Sequence, residues 1–134
     1  MENRTYNKRQ HKRVAIELTM SLVVFDAASA GLIPGAEMIK LRSAEINDMS
    51  AGGIRIHTND LEDDWISYLT NGTVLLALRF HLPGCSVPLN PIGQVVWIKV
   101  AERYKYVLGV RFASIKKGDR ESIAQFVASR EPSG

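Results

Sequence analysis

Two clusters in this chain carry side chains suited to holding a ligand. The first is Arg9-x-x-x-Arg13, inside the basic run Lys8-Arg9-Gln10-His11-Lys12-Arg13. A local cationic arm of this kind seeks a small or local anion, whereas a protein that tracks long nucleic acid spreads its charge over a face. The second is Asp48-x-Ser50-x-x-Gly53, within the stretch NDMSAGG. Asp and Ser at that spacing commonly bond back to the local backbone and close a turn, and glycine supplies positive φ without a Cβ clash. The same turn, exposed and with its amides outward, could equally offer those groups to a ligand. The residues alone leave both readings open.

Catalysis would need a nucleophile with its base, paired carboxylates or a metal set, and the sequence supplies none. His11, His57 and His81 are scattered over separate segments without metal-ligand spacing. Asp63 and Asp64 are adjacent in a connector and read as a solvated acidic loop. Cys85 is the one cysteine and sits in a Pro-Gly turn, the context of a bystander thiol. There is no phosphate loop or dinucleotide glycine fingerprint. The expectation is a binding protein, not an enzyme, with no metal and no cofactor.

The 134 residues fit one domain, and 46% hydrophobic with 23% charged content is ordinary for a soluble globular chain. The net charge of +3 is unevenly placed: Arg4, Lys8, Arg9, Lys12 and Arg13 crowd the first thirteen residues, against Glu2 alone. A single cysteine suits a reducing compartment. The polar start is not a signal peptide, and no apolar run is long enough to span a bilayer. A cytoplasmic location without membrane insertion is expected.

Hydropathy patterning predicts the scaffold around the two clusters. Ile16, Leu18, Met20 and Leu22 alternate with polar residues and predict a strand. Asp26 to Ala36 is Gly/Pro-punctuated loop. Met38 to Ile46 predicts a second strand that runs into the NDMSAGG turn, and a third starts at Ile54, which makes a hairpin. Leu61 to Gly72 reads as a connector with a helical turn. Thr73 to Leu82, Gln94 to Val100 and Tyr106 to Ile115 predict three more strands, the last two a hairpin in which Trp97 and Phe112 belong to the core or its margin. Asp119 is a good N-cap for an amphipathic helix of about three turns that buries Ile123, Phe126 and Val127. The fold class is mainly β: a six-stranded antiparallel β-barrel with a C-terminal α-helix. Residues 1–13 form a flexible basic arm, and 14–134 form the barrel and its helix.

Arg9-x-x-x-Arg13 followed by Asp48-x-Ser50-x-x-Gly53 resembles the paired signature of PilZ domains, RxxxR and (D/N)xSxxG. Val95-Val96-Trp97-Ile98 and Leu108-Gly109-Val110-Arg111-Phe112 resemble that family's closing strands, so the likeness runs from Lys8 to the terminal helix. The resemblance implies a split barrel that binds the bacterial second messenger cyclic di-GMP. The ligand's chemistry suits these residues. Guanidinium groups fork to phosphate oxygens or to guanine O6 and N7. Asp48 can accept from guanine N–H groups on the opposite edge, Ser50 can donate or accept, and Gly53 lets backbone approach the ligand. The implied ligand set is Arg9, Arg13, Asp48, Ser50 and Gly53. Lys8 could add charge for a second stacked ligand molecule, and Arg55, on the strand face opposite Ile54 and Ile56, is either a further contact or a plain surface residue. The stretch from Val14 to Asn47 is long for the family.

The resemblance also implies a receptor that changes conformation on binding and signals through an effector protein, since the arm lies near the terminus with no output domain upstream. Rival readings are a PilZ-like adaptor without ligand binding, and a small nucleic-acid-binding barrel. The latter expects aromatics among basic residues on one face, to which Tyr104 and Tyr106 around Lys105 come nearest. The downstream process, the partner's identity, stoichiometry and oligomeric state have no signature in the sequence.

Overall fold

The computed structural model describes residues 13–26, 41–101 and 105–130. Strand β1 (Val14–Asp26) carries Val14, Ile16, Met20, Leu22 and Val24 inward. It is longer than expected because Val24 continues the alternation past Leu22. Next in the chain come β2 (Arg42–Ser50), β3 (Gly53–Thr58), β4 (Val74–Arg79), β5 (Ile92–Val100) and β6 (Tyr106–Ser114). All pairings are antiparallel and close a barrel in the order β1-β2-β3-β6-β5-β4. Closure leaves no long sheet edge for aggregation. The closing pair is brief: only Leu76↔Gly93 and Ala77↔Ile92 join β4 to β5. A 3-10 turn (Asp63–Trp65) and the short helix α1 (Ile66–Thr70) occupy the connector, and Leu69 of α1 is fully buried.

Other boundaries differ from the sequence expectation as well, β5 starting at Ile92 rather than Gln94. Strand β2 starts at Arg42 and runs on through Asn47, Asp48, Met49 and Ser50, so the expected seven-residue turn shrinks to Ala51-Gly52 between the paired Ser50 and Gly53. The expected strand residues 38–40 lie outside the described set. Strand β4 ends at Arg79 rather than Leu82, and the chain goes on only as an isolated bridge, Phe80↔Leu89. Helix α2 (Lys117–Arg130) begins before the expected cap, and Asp119 sits in its first turn, where a carboxylate favours the positive end of the helix dipole. Its Ile123 and Val127 are buried and Phe126 packs partly against the core.

The core runs through the barrel, and bulges at Asn47 and Val96, two of several register shifts, turn Asp48 and Trp97 out of it. Ile46 and Met49 are both fully buried although they stand three apart, which strict alternation forbids. The extra residue is Asn47: Ile46 pairs Ile56 and Asp48 pairs Arg55, so two steps on β2 match one on β3. A bulge re-aims the side chains beyond it, and here it turns Asp48 outward. In β5 the pairs Val95↔Val110 and Trp97↔Gly109 leave Val96 as the extra residue, and Trp97 turns outward in the same way.

Candidate ligand-binding site

The outer wall of the barrel brings one residue of each sequence cluster together. Arg13 immediately precedes β1, and its Nη1 donates to Asp48 Oδ1 at 2.6 Å, although the two residues are 35 positions apart. Arg55, on the neighbouring β3, places Nη2 3.1 Å from Asp48 Oδ2. The carboxylate is only 14% exposed, while the two guanidinium side chains are 48% and 43% exposed. One anion is thus flanked by two cations, and the local charge is net positive. Asn47, the bulge residue, lies beside this cluster with Nδ2 3.4 Å from His57 Nε2.

Ser50 and Gly53 serve the hairpin. Ser50 is 4% exposed, and its Oγ accepts the N–H groups of Gly52 and Gly53, each at 3.2 Å. That is the local turn closure that Ser favours. Phe112 N–H donates to Gly52 O at 2.9 Å and ties the turn to β6. Gly53 does not adopt positive φ, contrary to the expectation for this turn; among the described glycines that conformation belongs to Gly72 and Gly84. Glycine is required at 53 for a different reason. A Cβ there would overlap the Val110 carbonyl oxygen and stand 3.0 Å from Arg111 Cα. Close backbone approach to β6 is what the position demands.

Trp97 is the surface residue that the sequence reading misplaced. Expected in or near the core, it is 37% exposed on the outer wall. Its indole lies over Gly109, where a Cβ would overlap the ring and stand 2.8 Å from Cζ2. The register runs Asp48↔Arg55, Arg55↔Gly109 and Gly109↔Trp97, so acid, guanidinium and indole share one row across β2, β3, β6 and β5. Three strand spacings put the ends of that row about 14 Å apart. Lys99 Nζ lies 5.3 Å from the Trp97 ring centre and adds positive charge at that end. Arg111, on β6, donates to Gln94 at 2.5 Å on the same wall.

Tyr106, one of the two tyrosines that come nearest to an aromatic platform around Lys105, does not offer its ring to a nucleic-acid strand. Tyr106 is 8% exposed and its hydroxyl donates to Asp63. Lys105 Nζ sits 3.1 Å from the same carboxylate. The hydrogen bond from Tyr106, and after it Lys105, holds the Asp63 carboxyl below its usual range, and the same bond raises the Tyr106 phenol above its own. Phe112 is buried as expected, and Tyr104 lies outside the described residues. So do Lys8 and Arg9.

Solved structures share this architecture. The chain superposes on the Bacillus subtilis inhibitor of motility (MotI/DgrA) with a TM-score of 0.65 at 19% identity, covering 92% of this chain and 50% of that one. It superposes on the MrkH–c-di-GMP complex of K. pneumonia with a TM-score of 0.61 at 14% identity, covering 96% and 52%. The PilZ domain with c-di-GMP of YcgR from Escherichia coli gives 0.56 at 10% identity, covering 92% and 91%. The chain therefore spans about half the length of MotI and MrkH but nearly the whole of the YcgR domain. At such identities these likenesses concern the fold. No relative among curated protein sequences matches the chain. The family model for the PilZ domain matches residues 7–129, nearly the whole chain, and the protein belongs to the PilZ domain family.

Proposed function

We propose that the protein is a cytoplasmic receptor for cyclic di-GMP that acts through a protein partner and carries no catalytic activity of its own. The observation that carries this reading is the meeting of Arg13 and Asp48, one residue from each motif, at 2.6 Å on the outer barrel wall. Solved neighbours in the same fold, the YcgR domain and MrkH, hold c-di-GMP. The dianionic ligand matches a wall with net positive charge. Arg13, with Arg9 near it in sequence, forks to phosphate or guanine oxygens. Asp48 accepts from guanine N–H groups, and the part-exposed indole of Trp97 stacks a base. Ser50 and Gly53 contribute by holding the hairpin that carries Asp48. Among the described residues no helix is long and apolar enough to cross a membrane.

Ligand phosphates would gather the Arg9 and Arg13 guanidiniums on one anion, and the segment so held would be the surface an effector reads, a ligand-driven shift between two states. Calorimetric titration of cyclic di-GMP into the wild type, Arg9→Ala and Arg13→Ala tests the reading. Loss of one charged hydrogen-bonding partner weakens binding by about 1.5–3 kcal/mol, more than tenfold. Absence of heat in the wild type, with no rise in melting temperature at saturating ligand, would favour a ligand-free adaptor. Hydrogen exchange over residues 4–13 slows with ligand if the arm is the switch.

A further inference from the structure

Arg55 stands in the site without belonging to either motif, and its geometry assigns it a task distinct from ligand contact. Both arginines reach Asp48 through a single nitrogen each, on opposite oxygens: Arg13 Nη1 on Oδ1 at 2.6 Å and Arg55 Nη2 on Oδ2 at 3.1 Å. Neither is the forked pairing that makes arginine–oxyanion contacts strongest. The two are anchored differently, however. Arg13 lies just before the first strand, and the β1–β2 pairing starts one residue later, at Val14. Arg55 lies in mid-strand, paired to Asp48 in β2 and to Gly109 in β6. Its Nε is buried and has no hydrogen-bond partner among the described residues, so solvent and ligand do not reach that atom.

We infer that Arg55 is a positioning residue: it fixes the plane of the Asp48 carboxylate from Oδ2, so that ligand binding is an exchange at Oδ1, where guanine N–H donors replace Arg13. This rests on the receptor reading above. The terminal torsion of an aspartate is broad, so a free Asp48 would sample many orientations, and an ion pair on one oxygen selects one. Each carboxylate oxygen has two lone-pair directions, so Oδ2 keeps one for a second guanine donor while Arg55 holds the other. Arg13, displaced, carries its charge to phosphate, where it can use the fork it lacks on Asp48. The free protein thereby keeps its own arginine on the base-reading carboxylate until an anion competes for it.

A double-mutant cycle with Arg55→Gln and Asp48→Asn, titrated with cyclic di-GMP and cyclic di-AMP, tests this. Adenine lacks the N2 amino group that a carboxylate reads on guanine. Arg55→Gln is expected to weaken cyclic di-GMP by about tenfold and to narrow its preference over cyclic di-AMP. In the Asp48→Asn background the same change is expected to move affinity by less than about twofold, because a residue acting through Asp48 has nothing left to position. Arg55→Lys, which keeps a charge at Oδ2, should restore most of the base preference at an unchanged melting temperature. Losses that multiply in the double variant would make Arg55 a direct ligand contact and overturn the inference, as would an Arg55→Gln protein of wild-type affinity. A wild type that binds neither dinucleotide withdraws the receptor reading and this inference together, an outcome distinct from both.

Discussion

The indole of Trp97 rests on the backbone of Gly109, in the same cross-barrel row as Asp48 and its partner Arg55. Glycine at 109 leaves a flat seat between β3 and β5, and the ring, 37% exposed, fills it, with Lys99 Nζ 5.3 Å from its centre. The arrangement holds the indole on a sheet, where a side chain is fixed more firmly than on a loop.

Trp97→Ala is expected to weaken cyclic di-GMP by about 1–3 kcal/mol, the usual worth of one base–aromatic stack, with little change in stability because the ring is partly exposed. Gly109→Ala should give the same loss by a different route, since its methyl group pushes the indole off its seat. Calorimetry with tryptophan fluorescence separates the two, because only the second variant retains a shifted Trp97 emission. Full affinity in Trp97→Ala would remove the indole from the site.

Ser50→Ala removes a buried acceptor and leaves the Gly52 and Gly53 N–H groups without it. Stranded donors cost about 1–3 kcal/mol, read as a lower melting temperature. Gly53→Ala forces a methyl group onto the Val110 carbonyl and should cost as much or more, about 1–3 kcal/mol for overpacking with backbone displacement. Affinity should fall in both because Asp48 rides on the same hairpin. A Ser50→Ala protein with native stability but no binding would instead mean that the hydroxyl touches ligand.

Both motifs and the barrel are legible in the sequence, whereas the facing of individual residues around them is not. Alternation places Ile16, Met20, Leu22, Ile54 and Ile56 inside correctly, while Leu18 of the same pattern is only partly buried. It fails where a bulge shifts the count. Ile46 and Met49 cannot both be core on one regular strand, so their spacing holds a clue to the bulge at Asn47. The run Val95-Val96-Trp97-Ile98 holds no such clue, because every residue in it is apolar and any parity looks acceptable. Patterning therefore puts Trp97 inward, and only the pairing with Gly109 shows otherwise. Arg42 is a second case: it is 1% exposed, yet a charged residue in an apolar-polar run reads as solvent-facing.

At the far end of β2 from the hairpin, Arg42 Nη1 donates to Glu62 at 2.8 Å and to the Asp60 carbonyl at 3.1 Å. Arg42→Ala removes a large buried side chain and its charged contacts together, and is expected to cost about 2–4 kcal/mol of stability. Arg42→Met keeps the volume and should recover most of that. Neither variant should change the affinity of the folded protein for cyclic di-GMP. A binding defect in Arg42→Met at full stability would show that this cluster is coupled to the site.

The Tyr106–Asp63 hydrogen bond should give the fold two pH limits of opposite sign. Asp63 is held below its ordinary value of 3.8, chiefly by the Tyr106 hydroxyl and then by Lys105, so its contribution is present above that value. It is lost as pH falls through the depressed folded value, since the unfolded chain takes up the proton first. Tyr106 is raised above its ordinary 10.0 by the same bond, so its contribution is full below pH 10.0 and is lost as pH rises through the folded value. Denaturant melts across both ranges, with phenolate absorbance monitored on the alkaline side, measure the two limbs. Tyr106→Phe should abolish the alkaline limb, and should weaken the acid limb while leaving the part due to Lys105. Asp63→Asn should abolish the acid limb and return the Tyr106 titration toward its ordinary value. An alkaline limb that persists in Tyr106→Phe would assign it to another group.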